Sequence, residues 1–178
     1  MHKILRTTLL AAALCASASA QAAIQTYSFS GTLDSGFFSG QSFSGQVSFE
    51  DASFTGSGIE YAAVSSLYIS IFGGNFTEAN TDLGTTAEVA MDGGIFAGAS
   101  FYATGVNAAF SMLPADFASS SVAFLAYDTG LGSSGAGSVI YAPVPEPETW
   151  AMLLMGLGLV SLKFRTRNKH FTLSHTGV

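Results

Sequence analysis

Between residues 23 and 144 the chain contains no lysine, arginine, histidine or cysteine. Its six cations are Lys3, Arg6, Lys163, Arg165, Arg167 and Lys169; the histidines are His2, His170 and His175; Cys15 is the single cysteine. Charged residues make up 10% of the chain, against about 25% in an ordinary soluble protein. Each absence excludes a class of chemistry. Without Lys or Arg the central stretch cannot neutralise phosphates, which removes nucleic-acid binding and a phosphate-cradling loop completed by lysine. A Ser-His-Asp or Cys-His nucleophile system has no base. Zinc held by His and Cys is impossible there, and one cysteine forms no disulfide framework. What remains is acid: ten of the twelve carboxylates lie in that stretch, giving it a formal charge of −10.

The two ends are built differently from the middle. Residues 1–22 place Lys3 and Arg6 before an apolar run from Thr8 to Ala16, closed by the small residues Ser17 to Ala22. Basic, apolar, then small is the order of a secretory signal peptide, with cleavage expected after Ala20 or Ala22. The partner implied is signal peptidase. The run falls well short of the roughly 20 apolar residues of a membrane span.

Toward the other end, residues 143–149 hold Pro143, Pro145 and Pro147, which cannot donate backbone hydrogen bonds and favour an extended, exposed path. Thirteen uncharged residues follow, from Trp150 to Leu162. As a helix they are about 20 Å long, short of a bilayer core of about 30 Å. Counting Glu148, Thr149, Lys163 and Phe164, with Lys163 snorkelling, the reach is about 25 Å, which a modestly thinned bilayer accommodates. Residues 150–164 therefore read as a transmembrane helix. Trp150 is placed as an interfacial aromatic, and residues 165–178 read as a basic cytoplasmic tail.

Taken together, Pro145-Glu146-Pro147, Trp150 with Gly156 and Gly158, and then Arg165, Arg167 and Lys169 closely resemble the PEP-CTERM protein-sorting signal. The basic residues alternate with others here, and a polar tail runs from Asn168 to Val178. The resemblance implies recognition by exosortase, a membrane-embedded transpeptidase-like enzyme, and cleavage near the Pro-Glu-Pro. It also implies a host that makes extracellular polysaccharide.

Residues 23–142 read as one domain. Gly, Ser, Thr and Ala dominate, and apolar residues alternate with period two: Tyr27-Phe29-Gly31-Leu33, Phe43-Gly45-Val47-Phe49, Ala87-Val89-Met91 and Val122-Phe124-Ala126. Val64 to Phe72 and Ile95 to Val106 add longer strands, and Ser138 to Tyr141 a last one. Turns are marked at Asp34-Ser35-Gly36, Gly56-Ser57-Gly58, Gly73-Gly74-Asn75, Asp92-Gly93-Gly94 and Gly130 to Gly137. The expectation is an all-β domain, a single antiparallel β-sandwich or barrel of about eight to ten strands. Phe-Ser-Gly recurs at Phe29, Phe38 and Phe43, at unequal spacings that do not indicate a structural repeat.

Few residues carry chemistry. Asp116 with Asp128, or Glu50 with Asp51, would supply the carboxylate pair of a glycoside hydrolase. A glycosidase cleft also needs aromatic platforms and charged orienting groups, and the middle of the chain has no Trp. The domain is expected not to be an enzyme. Calcium needs only oxygen ligands. Glu50, Asp51, Asp82, Asp92 and Asp128 lie near turns, but no calcium-loop sequence joins them. No cofactor is expected, a structural calcium being the one metal these residues leave open. Tyr27, Phe37, Phe38, Tyr61, Tyr68, Tyr102 and Tyr127 would stack on sugars if exposed; filling the core is the better account of them. The resulting picture is an exported surface or matrix protein, with a carbohydrate-binding module as the alternative and extracellular polysaccharide as a partner.

Overall fold

The computed structural model describes residues 23–82, 84–115, 122–145, 150, 152–158 and 161. Ala20, Ala22, Asp116, Glu146, Pro147, Arg165 and Arg167 lie outside the described residues. The chain divides into two units, Met1–Ala142 and Pro143–Val178.

The first unit is a sheet of ten strands: β1 (Ile24–Thr32), β2 (Ser42–Glu50), β3 (Ile59–Ala63), β4 (Ser66–Ile71), β5 (Gly74–Thr77), β6 (Glu88–Asp92), β7 (Ile95–Thr104), β8 (Ala109–Leu113), β9 (Phe124–Asp128) and β10 (Ser134–Pro143). Their order across the sheet is β3-β6-β7-β8-β9-β10-β1-β2-β4-β5, antiparallel throughout and curled into a half-barrel. Period-two alternation aims one face of each strand inward. Phe43, Val47 and Phe49 of β2, Leu67, Ile69 and Ile71 of β4, Phe101 of β7 and Phe110 and Met112 of β8 are all buried in one core. Burying each of these large side chains contributes about 1.5–3 kcal/mol.

The curl brings distant strands ring to ring. Phe96 of β7 stacks on Tyr27 of β1 at 4.0 Å and on Phe49 of β2 at 5.6 Å. Phe76 of β5 meets Phe110 of β8 edge-on at 5.0 Å. Backbone bonds stitch the two ends of the sheet together. In the short corner between β3 and β4, the Val64 N–H donates to the Ala87 carbonyl and the Ser65 N–H to that of Ser48. Consecutive residues thus bridge the β6 and β2 sides. Asp82, after β5, bonds β7 twice: its N–H donates to the Tyr102 carbonyl, and its carboxylate accepts the Thr104 N–H at 2.7 Å.

Turn chemistry follows the glycines. Between β6 and β7, Gly93 and Gly94 have φ of 56° and 82°, the two left-handed positions of a tight hairpin. The turn after β4 is centred one residue before the glycine pair, on Phe72 (φ 54°) and Gly73 (φ 74°). Phe72 tolerates this because its ring is buried against Phe38, Phe110 and Tyr127.

Three findings depart from the sequence expectation. Strands β3, β5 and β8 are too short or too irregular in pattern to have been anticipated. The Gly130 to Gly137 turn is shorter than expected, and β10 begins at Ser134. In β9 the inward residues are Leu125 and Tyr127, with Phe124 and Ala126 only half-buried on the other face. The register explains this: Leu125 lies opposite Met112 and Tyr127 opposite Phe110, both buried. The Tyr127 hydroxyl is also tied down, accepting the Phe38 N–H and donating to the Ser35 carbonyl.

Candidate functional site

The second unit begins where β10 ends, at Pro143. Pro145 is exposed and outside regular structure. Residues 150, 152–158 and 161 are helical. Trp150, Met152, Leu153, Leu154, Met155 and Leu157 are all more than half exposed. A helix apolar on every side suits apolar surroundings rather than water. The Ser161 hydroxyl is satisfied within the helix by the Leu157 carbonyl at 2.8 Å. Gly156 and Gly158 face open space. Among the described residues no helix is long and apolar enough to cross a membrane.

In the first unit carboxylates accept backbone N–H groups of both turns and strands. Asp128 accepts the Gly130 N–H at 2.8 Å, and Glu78 accepts the Leu67 N–H at 2.8 Å. Glu60 reaches back over its own turn to accept the hydroxyl and N–H of Thr55 and the N–H groups of Gly56 and Ser57. Those bonds, the Thr55 hydroxyl first, hold its carboxyl below the usual carboxylate range. Glu50 and Asp51 are adjacent and exposed at the end of β2. Among the described residues no group of three or more acids, histidines or cysteines is placed to hold a metal ion. Burial pushes the Tyr141 hydroxyl up, only partly countered by the Ala99 N–H it accepts at 3.1 Å.

The aromatics separate by position. Tyr127 is buried, and Tyr27 and Phe38 pack on the core; Tyr102 is half-buried. Phe37, Tyr61 and Tyr68 are exposed at 76%, 51% and 45%.

Tyr68 belongs to a surface that strand-by-strand reading does not reveal. On the outer face of β1, β2, β4 and β5, antiparallel register sets uncharged polar residues opposite one another. One row is Ser30, Ser44, Ser70 and Asn75; the next is Ser28, Gln46, Tyr68 and Thr77. The Tyr68 hydroxyl donates to Asn75 Oδ1 at 2.9 Å, linking the two rows. Two adjoining hollows lie over them, of about 550 and 460 Å³, sharing Ser30, Ser44 and Ile140. Among the described residues Asp34 is the one charged residue lining either.

On the opposite, inward face of the same strands, glycine makes room for rings. Phe29 lies opposite Gly45, Ser30 opposite Ser44, and Gly31 opposite Phe43. Two of the Phe-Ser-Gly triplets are therefore each other's partners, each ring covering the other strand's glycine. A Cβ at Gly31 would collide with the Phe43 ring and the Ser138 carbonyl; one at Gly45 would collide with the Phe29 ring and the Tyr68 carbonyl. The sequence signal was the serine alternation in Ser28-Ser30 and Ser42-Ser44, a polar face of period two. Which other strands lie beside it depends on topology.

A family model for the PEP-CTERM protein-sorting motif matches residues 143–168. No curated protein and no solved structure matches the chain. The motif implies exosortase-dependent sorting of an exported protein, with exosortase as the processing enzyme.

Proposed function

We propose that this is a non-enzymatic cell-surface or extracellular-matrix protein, associated with exopolysaccharide. In this reading signal peptidase cleaves after Ala20 or Ala22, and residues 150–164 hold the chain in the inner membrane. Trp150 then sits at the outer interface, with Arg165 and Arg167 on the cytoplasmic side. Exosortase acts at Pro145-Glu146-Pro147, and the β-domain is released or attached outside the cell. The sorting motif at residues 143–168 carries this reading. It is supported by a domain formally charged −10 with no cysteine, in which Glu60 and Asp128 accept turn N–H groups and Glu78 and Asp82 accept those of strands β4 and β7. Like charge of that size keeps copies apart despite the open edges of β3 and β5.

The test compares the size and location of the protein in cells with and without exosortase. With the enzyme, a shortened form is expected at the surface or in the medium; without it, a longer form stays in the membrane fraction. Replacing Glu146 by Ala should reproduce the second pattern. A single full-length species with the same location in all three backgrounds overturns the proposal.

A further inference from the structure

We infer that the trough on the outer face of β10, β1, β2 and β4 binds a chain of neutral polysaccharide. The inference rests on the surface reading above and gives it a ligand class and a site. Three independent features converge. The first is chemistry: Ser30, Ser44 and Ser70 stand side by side across three strands, offering hydroxyls that both donate and accept, as sugar hydroxyls do. Strands lie about 4.8 Å apart, so four strands span about 14 Å, long enough to seat several sugar rings in a row.

The second is an apolar platform at each side. Tyr68 is 45% exposed and its hydroxyl is anchored by Asn75, so the ring is already oriented. Ile140, 69% exposed, projects from β10 and lines both hollows. A sugar presents C–H groups on its ring faces and hydroxyls around its rim. A floor of hydroxyls with flanking apolar side chains matches both, and a few placed polar groups among apolar walls is the usual make-up of a small-molecule site.

The third is charge. The domain has no cation to meet a uronate or sulfate, and its formal charge of −10 repels an acidic glycan. A neutral chain meets no such penalty.

The experiment uses the full-length protein in detergent on beads of cellulose, curdlan and dextran (neutral), chitosan (cationic) and alginate (anionic). Retention on at least one neutral polymer is expected, with none on alginate. Tyr68→Ala and Ser44→Glu should each weaken that retention at least tenfold while leaving the thermal midpoint within a few degrees of the parent. Their side chains point outward and carry little of the fold. Tyr68→Phe, which keeps the ring but loses the bond to Asn75, should fall between parent and Ala. No retention on any neutral polymer, retention on alginate equal to the neutral beads, or retention untouched by both folded variants overturns the inference. Fractionation of the same strains separates the two claims. An exported chain that passes unretained over the neutral beads overturns the trough alone, whereas a chain kept inside the cell overturns the surface reading and the inference with it.

Discussion

Glu60 shows how much one exposed acid does in a chain this poor in charge. It gathers donors from Thr55, Gly56 and Ser57, and these favour its ionised form. Because the folded value is depressed, the contribution to stability is present above the ordinary carboxylate value and is lost as pH falls through the folded one. Glu60→Gln should therefore melt lower than the parent at neutral pH and lose less on acidification between about pH 5 and 3, read as thermal midpoints across that range. Parallel curves for the two proteins would show that the carboxylate contributes nothing. The Gly56-Ser57-Gly58 turn was legible from composition, since glycines supply the left-handed conformations there. The acid that holds it was not, because nothing in a sequence says which carboxylate folds back over which turn.

Strands follow the same division. Alternation located β1, β2 and β6 because a half-buried strand must place apolar groups on every second residue, and longer apolar runs located β4 and β7. It misjudged β9, where Leu125-Ala126-Tyr127 is apolar on both faces and the buried partners Met112 and Phe110 decide which face is inward. The pairing of β1 with β2 was likewise invisible: two Phe-Ser-Gly triplets at unequal spacing become complementary only when the strands run antiparallel. Close packing at that crossing leaves no room for a side chain. Gly31→Ala should cost about 1–3 kcal/mol, because a backbone carbonyl as well as a ring must move. Ser30→Ala, one residue away and exposed, should stay within about 0.5 kcal/mol. Urea unfolding of the two variants measures the difference; equal midpoints would mean the strand pair relaxes around the new methyl.

At the scale of the molecule, β10 stands sixth of ten in the sheet order, between β9 and β1. It is also the last strand before the sorting motif at residues 143–168. The domain cannot complete its sheet until this final segment has arrived. A chain ended after Gly137 loses Val139 and Tyr141, both part of the core or packed on it, and should show no cooperative unfolding. One ended after Ala142 keeps them and should unfold cooperatively, as followed by circular dichroism on heating. Cooperative melting of the shorter chain would contradict a central role for β10. Much of the protein's character was already fixed by residue order: the cationic extremities, the acidic cysteine-free middle, the sorting motif and an all-β class, each a matter of composition or local period. The neighbours of a given strand, the face of β9 that turns inward, and the serine trough assembled from β10, β1, β2 and β4 were settled by folding. They depend on contacts between residues more than a hundred positions apart, such as Ser35 with Ala136, and local pattern carries no information about pairings at that range.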